Sequence, residues 1–258
     1  AISGVVLHDG RLTFPITDTN QPKRTLTVDK LRVHLRFLED DSWSLDDFHA
    51  VFAGADFSLT GIIKNGSALR EWRSMRGPET APKPAAKPTP THVVQQRLRR
   101  FADTLEQIHF KSPPEMRVVL NGDARHAESF TLRVTLRAPD AETPWGRFSS
   151  GTMMARLLPT APLEQRHAEF QLAAQSAQTP WAEVTKLHLD LRVHSHDSDT
   201  NLLHADATLD AAQVITRWAN VTNAHFSAQW LHSLTNAIPL SGHGDLRAEA
   251  ATSRWATA

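Results

Sequence analysis

The sequence predicts a mostly β protein, a meander of long antiparallel strands built from hairpin repeats. One amphipathic helix and one proline-rich linker interrupt it. Tryptophan recurs at spacings of 36, 37 and 37 residues in the second half of the 258-residue chain, at Trp145, Trp181, Trp218 and Trp255. A fixed period of this size is the sequence signature of a repeat architecture. Alternation of apolar and polar residues within each period, in a constant register, identifies the repeated unit as β-strands.

The apolar positions keep the same offsets from successive tryptophans. Counting eight, ten and twelve residues forward gives Met153, Ala155, Leu157, Leu189, Leu191, Val193, Phe226, Ala228 and Trp230. Counting nine and eleven residues backward gives Val134, Leu136, Phe170, Leu172, Ala207, Leu209, Gly244 and Leu246. A slip of one residue would turn every side chain to the other face, so constant offsets predict one shared sheet with one apolar face.

The stretch after Trp181 shows what one repeat contains. Residues 187–193 alternate Leu and Val with polar residues, and residues 203–209 do the same around Leu203 and Leu209. The intervening "SHDSDTN" is rich in turn-forming residues. One repeat is therefore predicted to be two long strands in an antiparallel hairpin, and residues 112–258 to be one continuous meander.

Each tryptophan stands at the start of a predicted strand, so the tryptophans are expected along one border of the sheet. Two interpretations stay open. In the first, the rings fix the side-chain packing at the start of each strand. In the second, they form a row of amphipathic rings at the border between an apolar interior and a solvent-exposed surface.

Residues 1–76 predict a further β segment with a short terminal helix in "SALREWRSM". "GVVLHDGRLTFPI" predicts a tight hairpin around the Asp-Gly pair. Alternation in "KLRVHLRFL" places one set of residues on one face, namely Leu31, Val33, Leu35 and Phe37. Two more strands follow, with a break at Gly54.

Residues 77–91 contain five prolines and no large apolar residue, which predicts an extended, solvated linker. Residues 92–258 then begin with an amphipathic helix in "THVVQQRLRRFADTLEQIHF" and continue as the repeat array. Because the chain begins inside an apolar run and stops just after the fourth tryptophan, we expect a piece of a longer protein, with any anchor outside it.

Composition and motifs argue against several functions. Lys+Arg and Asp+Glu both number 28, so no charge excess draws in nucleic acid, and the absence of cysteine excludes disulfides and thiolate metal sites. No phosphate-binding loop, dinucleotide fingerprint or nucleophile elbow occurs. The histidines of "HSHDSD" lie in a polar turn, which favours a solvated surface over a zinc site. We therefore expect no enzyme, catalytic residue, metal or cofactor.

Several segments together resemble the AsmA-like proteins of the repeating β-groove lipid-transfer superfamily. They are "VVLHDGRLTF", "FAGADFSLTGIIKNG" and the recurring "TPWG" and "TPWA" openings of alternating strands. The resemblance implies a long curved sheet with an apolar groove, in the periplasm of a Gram-negative bacterium, anchored to the inner membrane by a segment outside this chain. It further implies phospholipid as partner, and lipid transport or outer-membrane homeostasis as function.

In that interpretation, acyl chains lie against the apolar residues of the strands. The expected groove lining is Leu31, Val33, Leu35, Phe37, Leu132, Val134, Leu136, Phe170, Leu172, Leu187, Leu189, Leu191, Val193, Leu203, Leu209 and Phe226. The alternative is a closed β-sandwich array, a structural or adhesin-like scaffold without ligand, in which a second sheet covers the same faces. Sequence alone leaves both open.

Overall fold

A computed structural model describes residues 2–16, 24–52, 54–69, 107–144, 146–159, 166–196, 199–233 and 238–253. All fourteen strands belong to one sheet. Four strands precede the linker region: β1 (Gly4–Ile16), β2 (Arg24–Phe37), β3 (Trp43–Phe52) and β4 (Ala55–Lys64), followed by a 3₁₀ turn at Gly66–Ala68. Ten strands follow it: β5 (His109–Phe110), β6 (Glu115–Asp123), β7 (His126–Thr143), β8 (Gly146–Pro159), β9 (Arg166–Gln178), β10 (Ala182–His196), β11 (Asp199–Thr216), β12 (Ala219–Ser233), β13 (Ser241–Arg247) and β14 (Ala250–Ser253).

The sheet is open. Its strand order runs β1-β2-β3-β4-β6-β7-β8-β9-β10-β11-β12-β13, while β5 pairs with β7 and β14 pairs with β12. The alternative of a closed sandwich array is therefore wrong for the described residues, because a single layer of strands with two free edges provides no second sheet.

The predicted meander is confirmed from β6 to β13, while β14 departs from it because it pairs with β12 and not with β13. From β6 to β13 every strand pairs antiparallel with its neighbour in sequence. The hairpin repeat is also confirmed, since β10 and β11 pair from Ala182 and Thr216 to His196 and Asp199 across the polar loop.

The expectation of a wholly antiparallel sheet is wrong at one junction. Strand β4 pairs with β6 in parallel, from Asp56 opposite Glu115 to Lys64 opposite Asp123. This pair joins the strands on both sides of the linker into one sheet. Parallel neighbours need a long crossover connection, and residues 65–114 supply its length.

Neither predicted helix is seen within the described residues, where Gly66–Ala68 forms only a 3₁₀ turn. The helix starting at residue 92 lies outside the described residues except for its end, where residues 107–108 form a turn and His109 and Phe110 form β5. These two residues pair with Glu142 and Ala141, where β7 extends beyond β6. Pairing of this exposed backbone outweighs helical periodicity there. The linker, residues 77–91, and most of the short helix, residues 70–75, also lie outside the described residues.

The predicted hairpin around Asp9 and Gly10 is wrong. Strand β1 runs without a turn, and Asp9 adopts a left-handed backbone conformation, φ 51°, within it. Asp is one of the few residues that tolerate this conformation, so the Asp-Gly pair makes a local irregularity instead of reversing the chain. The predicted break at Gly54 is confirmed, with φ 78° between β3 and β4.

A line of left-handed residues lies on alternate repeat strands, β8, β10 and β12. Ser150, Lys186 and Asn223 have φ of 48°, 50° and 46°, and each stands five residues after a tryptophan of the repeat. Pairing continues on both sides of them without a register shift. We call this feature the kink line.

Candidate ligand-binding face

One face of the sheet carries rows of apolar side chains that run perpendicular to the strands. Cross-strand partners point to the same side of a sheet, so the pairing register defines each row. The row through Leu189 consists of Leu246, Phe226, Leu209, Leu189, Leu172, Met153, Leu136, Met116 and Phe57. It crosses nine strands without a polar residue, and we call this side the apolar face.

Two further rows lie beside the first. The row through Leu191 consists of Gly244, Ala228, Ala207, Leu191, Phe170, Ala155, Val134, Val118, Leu59, Phe48, Val33 and Leu7. The row through Val193 consists of Gly242, Trp230, Ala205, Val193, Ala168, Leu157, Leu132, Leu120, Gly61, Leu45, Leu35 and Val5. The apolar face therefore extends across both halves of the chain.

The opposite side, the polar face, carries polar and ionisable side chains that contact one another. His188 lies 2.7 Å from Asp190, and His225 lies 2.6 Å from Asp210 on the neighbouring strand. His194 and His204 stack with ring centroids 5.3 Å apart. The alternation of the sequence thus separates the two faces of every repeat strand.

The apolar face is not covered by a second layer of the described chain. The buried hydrophobic side chains are mostly alanines, and among the described residues only Leu31 and Phe52 are large and buried, at 5% and 8% exposure. The leucines and valines of the rows are mostly half-buried, while Leu157 and Phe226 are 40% and 39% exposed. A closed core would bury such side chains almost completely.

A hollow of about 370 Å³ lies on the apolar face across β7, β8, β9 and β10. Ala155 and Ala168 are the small residues of this region, and larger side chains surround them. The surrounding apolar residues are Leu132, Leu157, Phe170, Leu191 and Val193. Its size falls within the range of small-ligand sites, and apolar lining is typical of them.

The structure places the sixteen expected lining residues on the apolar face, in or beside these rows. Leu31 differs from the others because it is buried. Sequence reasoning missed the contributions of β3, β4 and β6, which include Phe48, Phe57, Leu59, Met116 and Val118. Their alternation was visible, but the tryptophan period does not reach these strands.

Sequence reasoning also missed a row beyond the kink line. It consists of Ala141, Phe148, Ala177, Val184, Val214, Val221 and Ala251. Phe148, Val184 and Val221 each follow a tryptophan by three residues. This recurring offset was the signal that could have found the row.

The tryptophans mark tight turns that connect the repeat hairpins. In the turn before β10, the Thr179 hydroxyl donates to the Ala182 carbonyl at 3.1 Å and accepts from the Trp181 and Ala182 amides at 3.2 and 3.0 Å. Thr216 makes the same three contacts before β12. The recurring Thr-x-Trp-Ala motif therefore forms a turn that the threonine side chain closes by hydrogen bonds.

The turn geometry leaves the Trp181 and Trp218 rings outside any core. Trp181 is 69% exposed and Trp218 is 47% exposed, with the Arg217 guanidinium carbon 3.9 Å from the Trp218 ring centroid. Both turns lie at the same end of the sheet because they precede alternate strands of the meander. Trp145 and Trp255 lie outside the described residues.

No group of three or more His, Asp or Glu side chains within the described ranges is placed to hold a metal ion. None of the described helices has the length and hydropathy needed to cross a membrane. Comparison with family models, with curated proteins and with solved structures finds no match to this chain.

Proposed function

We propose that this chain is a lipid-binding module whose apolar face holds the acyl chains of phospholipids. The observation that supports the proposal best is the hollow around Ala155 and Ala168 on an apolar face that no described layer covers. The resemblance to AsmA-like proteins supports a role in moving phospholipid between the membranes of a Gram-negative envelope. In that role the chain works in the periplasm, and a segment outside it provides the membrane anchor.

The energetics of the apolar face suit transfer of lipid. Covering a leucine or valine gains about 1.5–3 kcal/mol, and an acyl chain gains about 0.8 kcal/mol for each CH₂ removed from water. A bilayer offers the acyl chain the same gain, so exchange between bilayer and apolar face is nearly neutral. Near-neutral exchange allows a carrier both to accept and to release its cargo.

The dimensions of the face also suit acyl chains. Twelve strands follow one another in the sheet, and strands spaced about 4.8 Å apart make rows roughly 50 Å long. The hydrocarbon core of a bilayer is about 30 Å thick, so the chains of one leaflet span about 15 Å. Each row is thus long enough for about three chains end to end.

Lipid extraction and native mass spectrometry of the purified protein test this function. We expect phospholipid that stays bound under gentle conditions and is released on unfolding, with little selectivity for the headgroup. Ala168→Phe fills the hollow and should lower the amount of copurified lipid severalfold. Ala173→Phe is the matched control, because Ala173 pairs with His188 and lies on the polar face of the same strand.

The rival function, a scaffold without ligand, predicts a clean apo mass. A lipid-free protein that also takes up no phospholipid from vesicles would contradict the proposed function. Equal lipid loss in the Ala168→Phe and Ala173→Phe variants would contradict the proposed location.

A further inference from the structure

A second depression, of about 610 Å³, lies on the polar face where the parallel pair of β4 and β6 meets β7. Its polar and charged lining consists of His49, Asp56, Ser58, Glu115, Arg117, Arg133, Thr135 and Arg137. This depression is separated by the thickness of the sheet from the hollow of the apolar face.

Three arginines surround Thr135 in the depression. Arg117 of β6 is paired with Thr135 of β7, and Arg133 and Arg137 stand two residues to either side of Thr135 on the same strand. Residues i and i+2 of a strand share a face, so the three guanidinium groups are neighbours on the polar face. The next strand adds Arg156, directly opposite Arg133.

Within the described part of the chain, Arg117 and Arg133 stand opposite no acidic residue, whereas Arg137 stands opposite Glu115. Arg117, Arg133 and Arg137 form no salt bridge there, whereas Arg156 lies 3.7 Å from Glu169. Like charges at adjacent strand positions repel each other. A bound anion would remove that repulsion.

The acidic residues of the depression lie toward one end. Glu115 is paired with Asp56 on β4 and with Arg137 on β7, and Asp56 lies 3.8 Å from His49 Nε2. His49 Nδ1 is buried and has no hydrogen-bond partner. The carboxylates exclude an anion from their own end, which leaves the region around Thr135, Arg117 and Arg133 for it.

We propose that this depression binds a phosphate monoester, with the guanidinium groups of Arg117 and Arg133 on the phosphate oxygens and Arg137 beside Glu115 at its border. Guanidinium groups match phosphate in charge and in paired hydrogen-bond geometry. The volume leaves room for the organic group that carries the phosphate. That group is either a small soluble molecule or the glycerol of a phosphatidic-acid-type headgroup, since both present the same phosphate monoester. The site is independent of acyl-chain binding on the other face.

Isothermal titration calorimetry of the full chain with glycerol 3-phosphate tests the site, and cosedimentation with vesicles distinguishes the source. The vesicles contain phosphatidylcholine alone or with phosphatidic acid. Arg117→Gln and Arg133→Gln should each weaken phosphate binding about tenfold, because each removes charged hydrogen bonds. Arg192→Gln should change nothing, since Arg192 lies on the same polar face three strands away.

The possible outcomes distinguish a soluble ligand from a lipid headgroup, and both from the absence of a site. Binding of glycerol 3-phosphate that is weakened in the Arg117 and Arg133 variants supports the site and a soluble ligand. Binding restricted to phosphatidic-acid vesicles, with the same weakening, supports the site and a lipid headgroup. Absence of both, or equal weakening by Arg192→Gln, overturns the proposal. Ala168→Phe should lower copurified lipid without changing phosphate binding, so failure of one proposed site is distinguishable from failure of the other.

Discussion

The ring of Phe148 lies over the α-carbon of Gly151, so close that a Cβ on Gly151 would stand 3.1 Å from the ring. The two residues are three apart in one strand, and strict alternation would place them on opposite faces. The left-handed residue Ser150 lies between them. The kink line therefore shifts the alternation by one residue and keeps the apolar face continuous on both sides of it.

Because the kink line holds non-glycine residues in a left-handed conformation, substitution of one of them by glycine should stabilise the protein. A left-handed conformation costs a non-glycine residue about 1–2 kcal/mol, while glycine adds about 0.4–1 kcal/mol of unfolded-state entropy. We expect Lys186→Gly to raise the free energy of unfolding by up to about 1 kcal/mol. Urea denaturation measures this change in the free energy of unfolding.

The neighbouring residue provides the control for this prediction. Thr185 has no positive φ, so Thr185→Gly should destabilise the protein by about 0.5–1 kcal/mol. Equal destabilisation by Lys186→Gly and Thr185→Gly would show that the left-handed conformation at Lys186 carries no strain.

Much of the repeat region could be predicted from the sequence because its pattern is local. The tryptophan period and the alternation around Leu189 and Leu191 together determine which residues share a face. The kink line was also present in the pattern, since Val184 and Leu187 are apolar residues three apart. The forward offsets that place the main rows, eight, ten and twelve residues, are all even, whereas the row beyond the kink line lies at the odd offset of three.

The junction between β4 and β6 could not be predicted in this way. No local sequence feature identifies which strand will pair with β4. The two strands are separated by the fifty residues between Lys64 and Glu115. The depression around Arg117 and Arg133 depends on that junction, so it could not be predicted either. The hairpin at Asp9 failed for the opposite reason, because a strong local turn signal yielded to pairing of β1 along its whole length with β2.

The junction itself predicts a sensitive glycine. A Cβ on Gly61 would overlap the carbonyl group of Leu120 across the parallel pair. Backbone cannot move aside as a side chain can, so Gly61→Ala should cost about 1–3 kcal/mol of stability, the range for overpacking. Chemical denaturation measures the loss.

Gly244 offers the matched control on the same apolar face. A Cβ there would meet the Phe226 ring at 3.2 Å, and that ring is free to shift because it is partly exposed. Gly244→Ala should therefore be tolerated. Equal losses at both glycines would argue against close backbone approach at the β4–β6 junction.

The N-terminal strands carry a pH-dependent contribution to stability at Asp46. The side-chain hydrogen bond from Arg36, followed by that from Ser44, lowers the pKa of the Asp46 carboxyl to about 2. Between that value and the ordinary value of 3.8 the unfolded chain binds more protons than the folded chain. The stabilisation is therefore complete above about pH 5 and is lost as the pH falls toward about 2.

Asp46→Asn tests this contribution by thermal melting between about pH 6 and pH 2. We expect the variant to be less stable than the natural protein near pH 6 and the difference to close as the pH falls below about 4. Arg36→Gln should weaken the same pH dependence, since it removes the first cause of the lowered pKa. A difference in melting temperature that stays constant down to pH 2 would contradict the assignment.

The last prediction concerns the centre of the apolar face. Leu191 borders the hollow and is half-buried, while its neighbour Arg192 is exposed on the polar face. Leu191→Asp would place a charge against a bound acyl chain, which is very costly without a partner. In the free protein water reaches this side chain, so the fold should survive with a modest loss of melting temperature.

We expect Leu191→Asp to abolish most phospholipid copurification while the far-ultraviolet circular dichroism spectrum stays unchanged. Arg192→Asp should leave both unchanged, because it alters only the polar face. Collapse of the fold in Leu191→Asp, together with a lipid-free natural protein, would contradict acyl-chain binding at this face.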